Sequence, residues 1–149
     1  MWSRRRWTTK KGDVWLSGPW VKRGTSVVSL DGQGARFELS KSVKNCALRM
    51  LRGRPIYLAN DGILRDAVSD KELFPIDSWY CECEAGLFYR TGDEMRFADG
   101  FGNHLKIRDD MDFFAFPKVV RVSESEYEIR VGGKQYYLLD TMRWTCISI

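Results

Sequence analysis

The stretch "EYEIRVGGKQYYLLD", residues 126 to 140, constrains the fold more than any other part of the chain. Tyr127, Ile129 and Val131 alternate with charged residues, two glycines follow, and an apolar run resumes. Two glycines at such a centre supply the positive φ angles of a two-residue hairpin, so antiparallel strands are expected to pair across Gly132-Gly133. The same pattern recurs upstream. "SWYCECEAGLFYR", "EMRFADG", "FFAFP" and "VVRVS" alternate or run apolar between Gly, Asp and Pro, and each reads as a strand. Near the start, "DVWL", "TSVVSL" and "ARFEL" are short and rich in β-branched or aromatic residues. "SGP" at 17 to 19 supplies a turn, and "DGQG" predicts a hairpin across Asp31 to Gly34.

One basic segment reads differently. In "KSVKNCALRMLRGRP", a helical spacing places Val43, Cys46, Ala47, Met50 and Leu51 on one side and Lys41, Lys44, Arg49 and Arg52 on the other. Ser42 would cap this helix, and Gly53 and Pro55 would end it. A further helical turn or two is expected over Ile63 to Val68, where "SDKE" (Ser69 to Glu72) has capping-box spacing. These readings predict an α+β fold, an antiparallel sheet with two or three short helices. A chain of 149 residues suits one domain, here residues 13–149, preceded by a basic arm at 1–12 with neither helical nor alternating period. No internal repeat is apparent.

No run approaches the roughly 18 to 20 apolar residues of a membrane-spanning helix, so a soluble protein without a transmembrane segment is expected. Four cysteines without a secretory leader suit reduced thiols and a reducing compartment. The net charge of +4 conceals an asymmetry, because residues 1–54 carry 13 Lys/Arg against 3 Asp/Glu while the remainder is acidic. A basic surface with interleaved tryptophans attracts polyanions and stacks on unpaired bases. Arg4, Arg5, Arg6, Lys10, Lys11, Lys44, Arg49 and Arg52 are therefore candidate RNA contacts, with Trp2 and Trp7 as stacking residues.

Two kinds of chemistry compete with binding. Cys46 is a candidate nucleophile, and the sole histidine, His104, is its candidate base, with Asp99, Asp109, Asp110 or Asp112 to orient the ring. A zinc site from Cys81, Cys83, Cys146 and His104 fits poorly, since "YCECE" alternates like a strand rather than forming a C-x2-C turn. No phosphate loop or dinucleotide fingerprint is present, and neither a metal nor a cofactor is expected.

"KKGDVWLSGPWVKRGTSVVSLDGQGARFELS" and "KNCALRMLRGRPIYLANDGILRDAV" together resemble the H-box and NC motifs of the lecithin:retinol acyltransferase and phospholipase-acyltransferase lineage. The same pair marks the picornavirus 2A proteins of the H-box/NC type, as in parechoviruses. The resemblance covers roughly residues 10 to 68. It implies a permuted papain-like core with Asn45 and Cys46 as the NC motif. The family's histidine would fall near Arg23 and Gly24, where this chain has none. Without that base the resemblance implies a catalytically inactive viral non-structural protein in the host cytoplasm, binding RNA or host proteins; separately, a Trp-rich face that includes Trp15 and Trp20 suits a protein-binding module that joins a homodimer or a host partner. A thiol hydrolase or acyltransferase using Cys46 with His104 is the alternative.

Overall fold

In a computed structural model, which describes residues 7–32, 34–109, 117–132 and 135–149, the chain folds as sixteen β-strands in four antiparallel sheets of four strands each. Every sheet consists of consecutive strands. The first contains β1 (Val14–Ser17), β2 (Trp20–Arg23), β3 (Ser26–Ser29) and β4 (Arg36–Glu38). The second contains β5 (Ala47–Leu51), β6 (Arg54–Leu58), β7 (Ile63–Asp66) and β8 (Glu72–Pro75). The third is β9 (Ser78–Cys83), β10 (Gly86–Thr91), β11 (Glu94–Ala98) and β12 (His104–Arg108), and the fourth β13 (Lys118–Arg121), β14 (Glu126–Val131), β15 (Gln135–Asp140) and β16 (Thr145–Ser148). Contacts group the chain into two units, Met1–Phe74 with the first two sheets and Pro75–Ile149 with the last two.

The expected α+β class is overturned: among the described residues the only helical element is a 3-10 turn, Lys41–Val43. The helix expected from Ser42 to Arg52 is instead that turn followed by β5, and β5 pairs with β6 in the register Ala47↔Leu58 to Leu51↔Arg54. The reason lies in the connection. Arg52 and Gly53 have φ angles of 49° and 80°, so both sit in the left-handed region that a two-residue hairpin of the primed kind requires. Gly53 therefore reverses a strand rather than ending a helix, and cross-strand pairing overrides the helical spacing of the apolar residues. Of the five residues of the expected stripe, Val43, Met50 and Leu51 are buried and Cys46 is half-buried, but Ala47 is exposed.

The second expected helix, Ile63 to Val68, is also a strand. Tyr57 pairs with Arg65 and Ile56 with Asp66. Past it, Asp66 rather than a capping-box serine holds the turn, its Oδ1 accepting from the Val68 and Ser69 amides at 2.9 and 3.0 Å. With neither helix present, the permuted papain-like core is not formed, because the helix that would open at Cys46 does not exist.

Several strand expectations hold. β3 and β4 pair across the Asp31 to Gly34 turn, and β14 pairs with β15 as Tyr127↔Leu139 and Val131↔Gln135. Gly133 and the "FFAF" segment at 113 to 116 lie outside the described residues. In the second unit, the alternation of β14 buries Tyr127, Ile129 and Val131 against Phe88, Phe97 and Met95, which come from the third sheet. β10 starts at Gly86 because the chain passes there too closely for a side chain: a Cβ would lie 2.1 Å from the Ala98 carbonyl oxygen.

Candidate nucleic-acid interface

Charge separates the units. The first holds 15 Lys/Arg against 7 Asp/Glu, a balance of +8, and the second 9 against 13, a balance of −4. Within the first, β1, β2 and the segment from Leu39 to Leu48 enclose a cleft of about 940 Å³. Trp15 and Leu16 of β1 give it an apolar wall, and Lys22, Lys41 and Lys44 bring three ammonium groups to it. Among the described residues, no acidic one lines it. Trp15 is steadied by Trp7, whose ring centroid lies 5.9 Å away.

The lysine-bearing loop is fixed from within. Ser40 Oγ accepts from the Ser42 amide at 3.1 Å, Val43 N donates to the Ser40 carbonyl at 3.1 Å, and Cys46 N donates to the Val43 carbonyl at 2.8 Å. Asn45 takes a φ of 67°, a conformation asparagine tolerates better than most residues. At the start of β1, Asp13 ties the strand to β2: its carboxylate accepts from Arg23 Nε and Nη2 at 2.9 and 2.8 Å. The Arg23 bond, with the Lys10 amide, holds the Asp13 carboxyl down at about 2.

Behind Cys46 lies a second, smaller pocket of about 310 Å³, lined by Ser42, Cys46, Tyr57, Asn60, Arg65 and Asp70, with Ala59 at its wall. Here Asp70 is held by hydroxyls: Ser40 Oγ donates to Oδ2 at 2.5 Å, Tyr57 Oη donates to Oδ1 at 2.7 Å, and the Ser42 side chain also bonds the carboxylate. Burial, then the bond to Asp70, pushes the Tyr57 phenol up to about 12.

The sequence-predicted contacts are only partly brought together. Lys44 lines the large cleft, whereas Arg49 lies half-buried on β5 and Arg52 is exposed in the β5–β6 turn. Lys10 and Lys11 are exposed before β1, and Trp2, Arg4, Arg5 and Arg6 lie outside the described residues. Lys22, Lys41 and Trp15 complete the cleft and were not singled out as RNA contacts from sequence. The signal for Lys22 was its alternation with buried Val21 on a short strand, and β2 itself was missed.

Cys46 and His104 belong to different units, and the first unit contains no histidine. Cys46 is half-buried beside Val43 and Tyr57, and its thiol reaches the Ser42 carbonyl at 3.6 Å. His104 is on β12, not in a turn, with Nδ1 hydrogen-bonded to Tyr89 Oη at 2.7 Å. Of the carboxylates expected near it, Asp110 and Asp112 fall outside the described residues, while Asp99 caps its own loop through the Phe101 and Asn103 amides at 2.7 and 3.2 Å. Burial raises the Cys83 thiol and pushes Cys146 up to about 11, so both are thiols rather than thiolates at neutral pH. Among the described residues no three of His, Cys, Asp and Glu group as a metal site would require. No described helix is long and apolar enough to cross a membrane.

No protein-family model matches this chain, and no curated protein matches it.

Proposed function

We propose that this chain is a non-enzymatic protein that binds single-stranded RNA through its basic first unit. The observation that carries the reading is the cleft beside β1, with three lysines, the Trp15 ring and no carboxylate among its described lining residues. Ammonium groups displace counterions from phosphates, and an aromatic wall offers a face to an unpaired base that a duplex keeps stacked. The β-strands and the well-bonded loop fix the backbone that carries these groups before the ligand arrives, which reduces the ordering cost of binding. Viral origin and residence in the host cytoplasm rest on the H-box and NC motif layout alone; RNA binding does not require them.

The experiment is fluorescence anisotropy of a labelled single-stranded RNA with the full chain, titrated at several salt concentrations. Binding should be evident at about 50 mM salt and fall steeply above it. The triple variant Lys22→Ala, Lys41→Ala, Lys44→Ala should flatten the slope of log K against log salt by about 2, since each phosphate neutralised on a single strand contributes about 0.7. Absence of binding at low salt, or an unchanged slope in the triple variant, would sink the proposal.

A further inference from the structure

The smaller pocket shares Cys46 with the lysine-lined cleft, so the two adjoin. Its chemistry differs from that of the cleft. The cleft offers donors and an apolar face, which discriminate poorly among bases. The pocket offers a carboxylate, an amide, a guanidinium and hydroxyls within about 310 Å³. Asp70 is the distinctive member. Ser40 Oγ and Tyr57 Oη each donate to one of its oxygens, and the Ser42 hydroxyl on the pocket wall is a third partner that a base edge would displace; an ionised carboxylate oxygen has two lone pairs, so each oxygen then keeps one acceptor site. The Ser40 and Tyr57 hydroxyls also fix the plane of the carboxylate, which prepares it for a bidentate partner.

Base edges differ in what they present to such a group. Adenine and cytosine pair one amino donor with a ring-nitrogen acceptor on the Watson–Crick edge, and uracil sets one N–H between two carbonyls. Guanine alone presents two adjacent donors, N1–H and N2–H, with an O6 acceptor beside them. A carboxylate matches that pair of donors and repels the ring-nitrogen acceptors of adenine and cytosine. The Asn60 amide lining the same pocket supplies a donor suited to O6, and Arg65, whose guanidinium is paired with Asp61 and Glu72 at 2.5 and 3.2 Å, keeps N–H groups beyond those two contacts.

We infer that the pocket behind Cys46 accepts one unstacked guanine of the bound strand, with Asp70 receiving its N1–H and N2–H. The inference rests on the RNA-binding reading of the neighbouring cleft and adds base selectivity to it.

The test compares nonamers of uridine in which the central residue is guanosine, adenosine, cytidine, inosine or uridine, bound to the full-length protein at one fixed salt concentration. The guanosine nonamer should bind about tenfold more tightly than the others, the discrimination of one good bidentate pair. Inosine, which lacks the N2 amine, should lose most of that advantage, and this control needs no protein variant. Asp70→Asn should bring the guanosine-to-uridine ratio close to one, and guanosine monophosphate should compete only weakly because it lacks the flanking phosphates. Equal binding of all five nonamers would overturn the guanine pocket and leave RNA binding standing, whereas binding of none would remove the reading beneath it. Retention of the preference by folded Asp70→Asn would overturn the role of Asp70. Competition by the monophosphate as strong as by the guanosine nonamer would overturn the strand as the source of the base.

Discussion

Tyr89 Oη on β10 and His104 Nδ1 on β12 lie 2.7 Å apart, and Arg96 of the intervening strand β11 is hydrogen-bonded to the same hydroxyl. A guanidinium can only donate, so the Tyr89 oxygen accepts from Arg96 and its own proton is available to the imidazole. With the hydroxyl donating, the histidine carries its proton on Nε2 and the Nδ1 lone pair is occupied, an assignment that suits a structural ring better than a general base. Burial, then the positive charge of Arg96, lowers the His104 pKa below 6.5, with Asp99 opposing. Because the folded value is depressed, the associated stability is present above the unfolded value and is lost as pH falls through the folded one. The single histidine should therefore titrate below 6.5 in an NMR pH series. Tyr89→Phe should raise that value, since it removes a hydrogen bond to the neutral ring.

Acid sensitivity of the first unit follows from Asp13 and Asp66. For Asp66, burial pushes the carboxyl up, but the Arg54 bond at 2.9 Å and the Ser69 and Val68 amides outweigh it and hold the group at about 2. Asp13 is held at about 2 by Arg23 and the Lys10 amide. Both folded values lie below the ordinary 3.8, so their stabilisation is complete above that value and disappears as pH falls from about 4 towards 2. Thermal unfolding of the wild-type chain should show a falling Tm across this window. In Asp66→Asn the fall should be shallower, because one of the linked protons is gone; Glu38, Asp61 and Asp70, also held below their ordinary values by hydrogen bonds, contribute the rest with Asp13.

The strands of the second half were legible because their alternation was undisturbed: Tyr127, Ile129 and Val131 are all inward on β14. The β5–β6 hairpin was not, for a definite reason. Its apolar residues Val43, Met50 and Leu51 match a helical stripe as well as they match a turn plus a strand, and helix-forming residues occupy 47 to 52. The deciding feature, a left-handed Arg52 before Gly53, is unusual at a non-glycine residue and invisible in composition. Of the site, the basic character and Lys44 were readable from sequence. The cleft itself depends on β2 and on the Ser40 loop, which only the folded chain brings beside β1.

Close packing at Gly86 gives a prediction about the second unit. A Cβ there would meet the Ala98 carbonyl oxygen at 2.1 Å and Phe97 Cζ at 2.8 Å, and the first of these is backbone in the paired strand β11. Gly86→Ala must therefore displace a ladder strand or the Phe97 ring from the core, at a cost of about 1–3 kcal/mol. Gly92→Ala is the useful contrast. Its φ is +58° and its surroundings are open, so only backbone strain of about 1–2 kcal/mol is expected. Denaturant unfolding should rank Gly86→Ala as the more damaging, and the reverse order would mean that the β10–β11 approach is looser than described.

The basic arm gives the last prediction, and the docking of Trp7 on Trp15 determines where to cut. Removing residues 1 to 11 would take away a ring that packs 5.9 Å from a cleft wall, so any loss of binding would mix charge with damage to the cleft. Deleting residues 1 to 6 removes Arg4, Arg5 and Arg6 with Trp2 and leaves Trp7 in place. If the three arginines contact phosphates, the salt slope should flatten by about 2, as each contact on a single strand is worth about 0.7. The Tm should stay unchanged, because the segment precedes the alternating apolar pattern that begins at Asp13 in the sequence. Trp2→Ala should weaken single-stranded RNA more than duplex, since only unpaired bases offer faces for stacking. A truncated chain that binds with the wild-type slope would confine the interface to the lysine-lined cleft, and equal loss of single-stranded and duplex binding in Trp2→Ala would remove the stacking role.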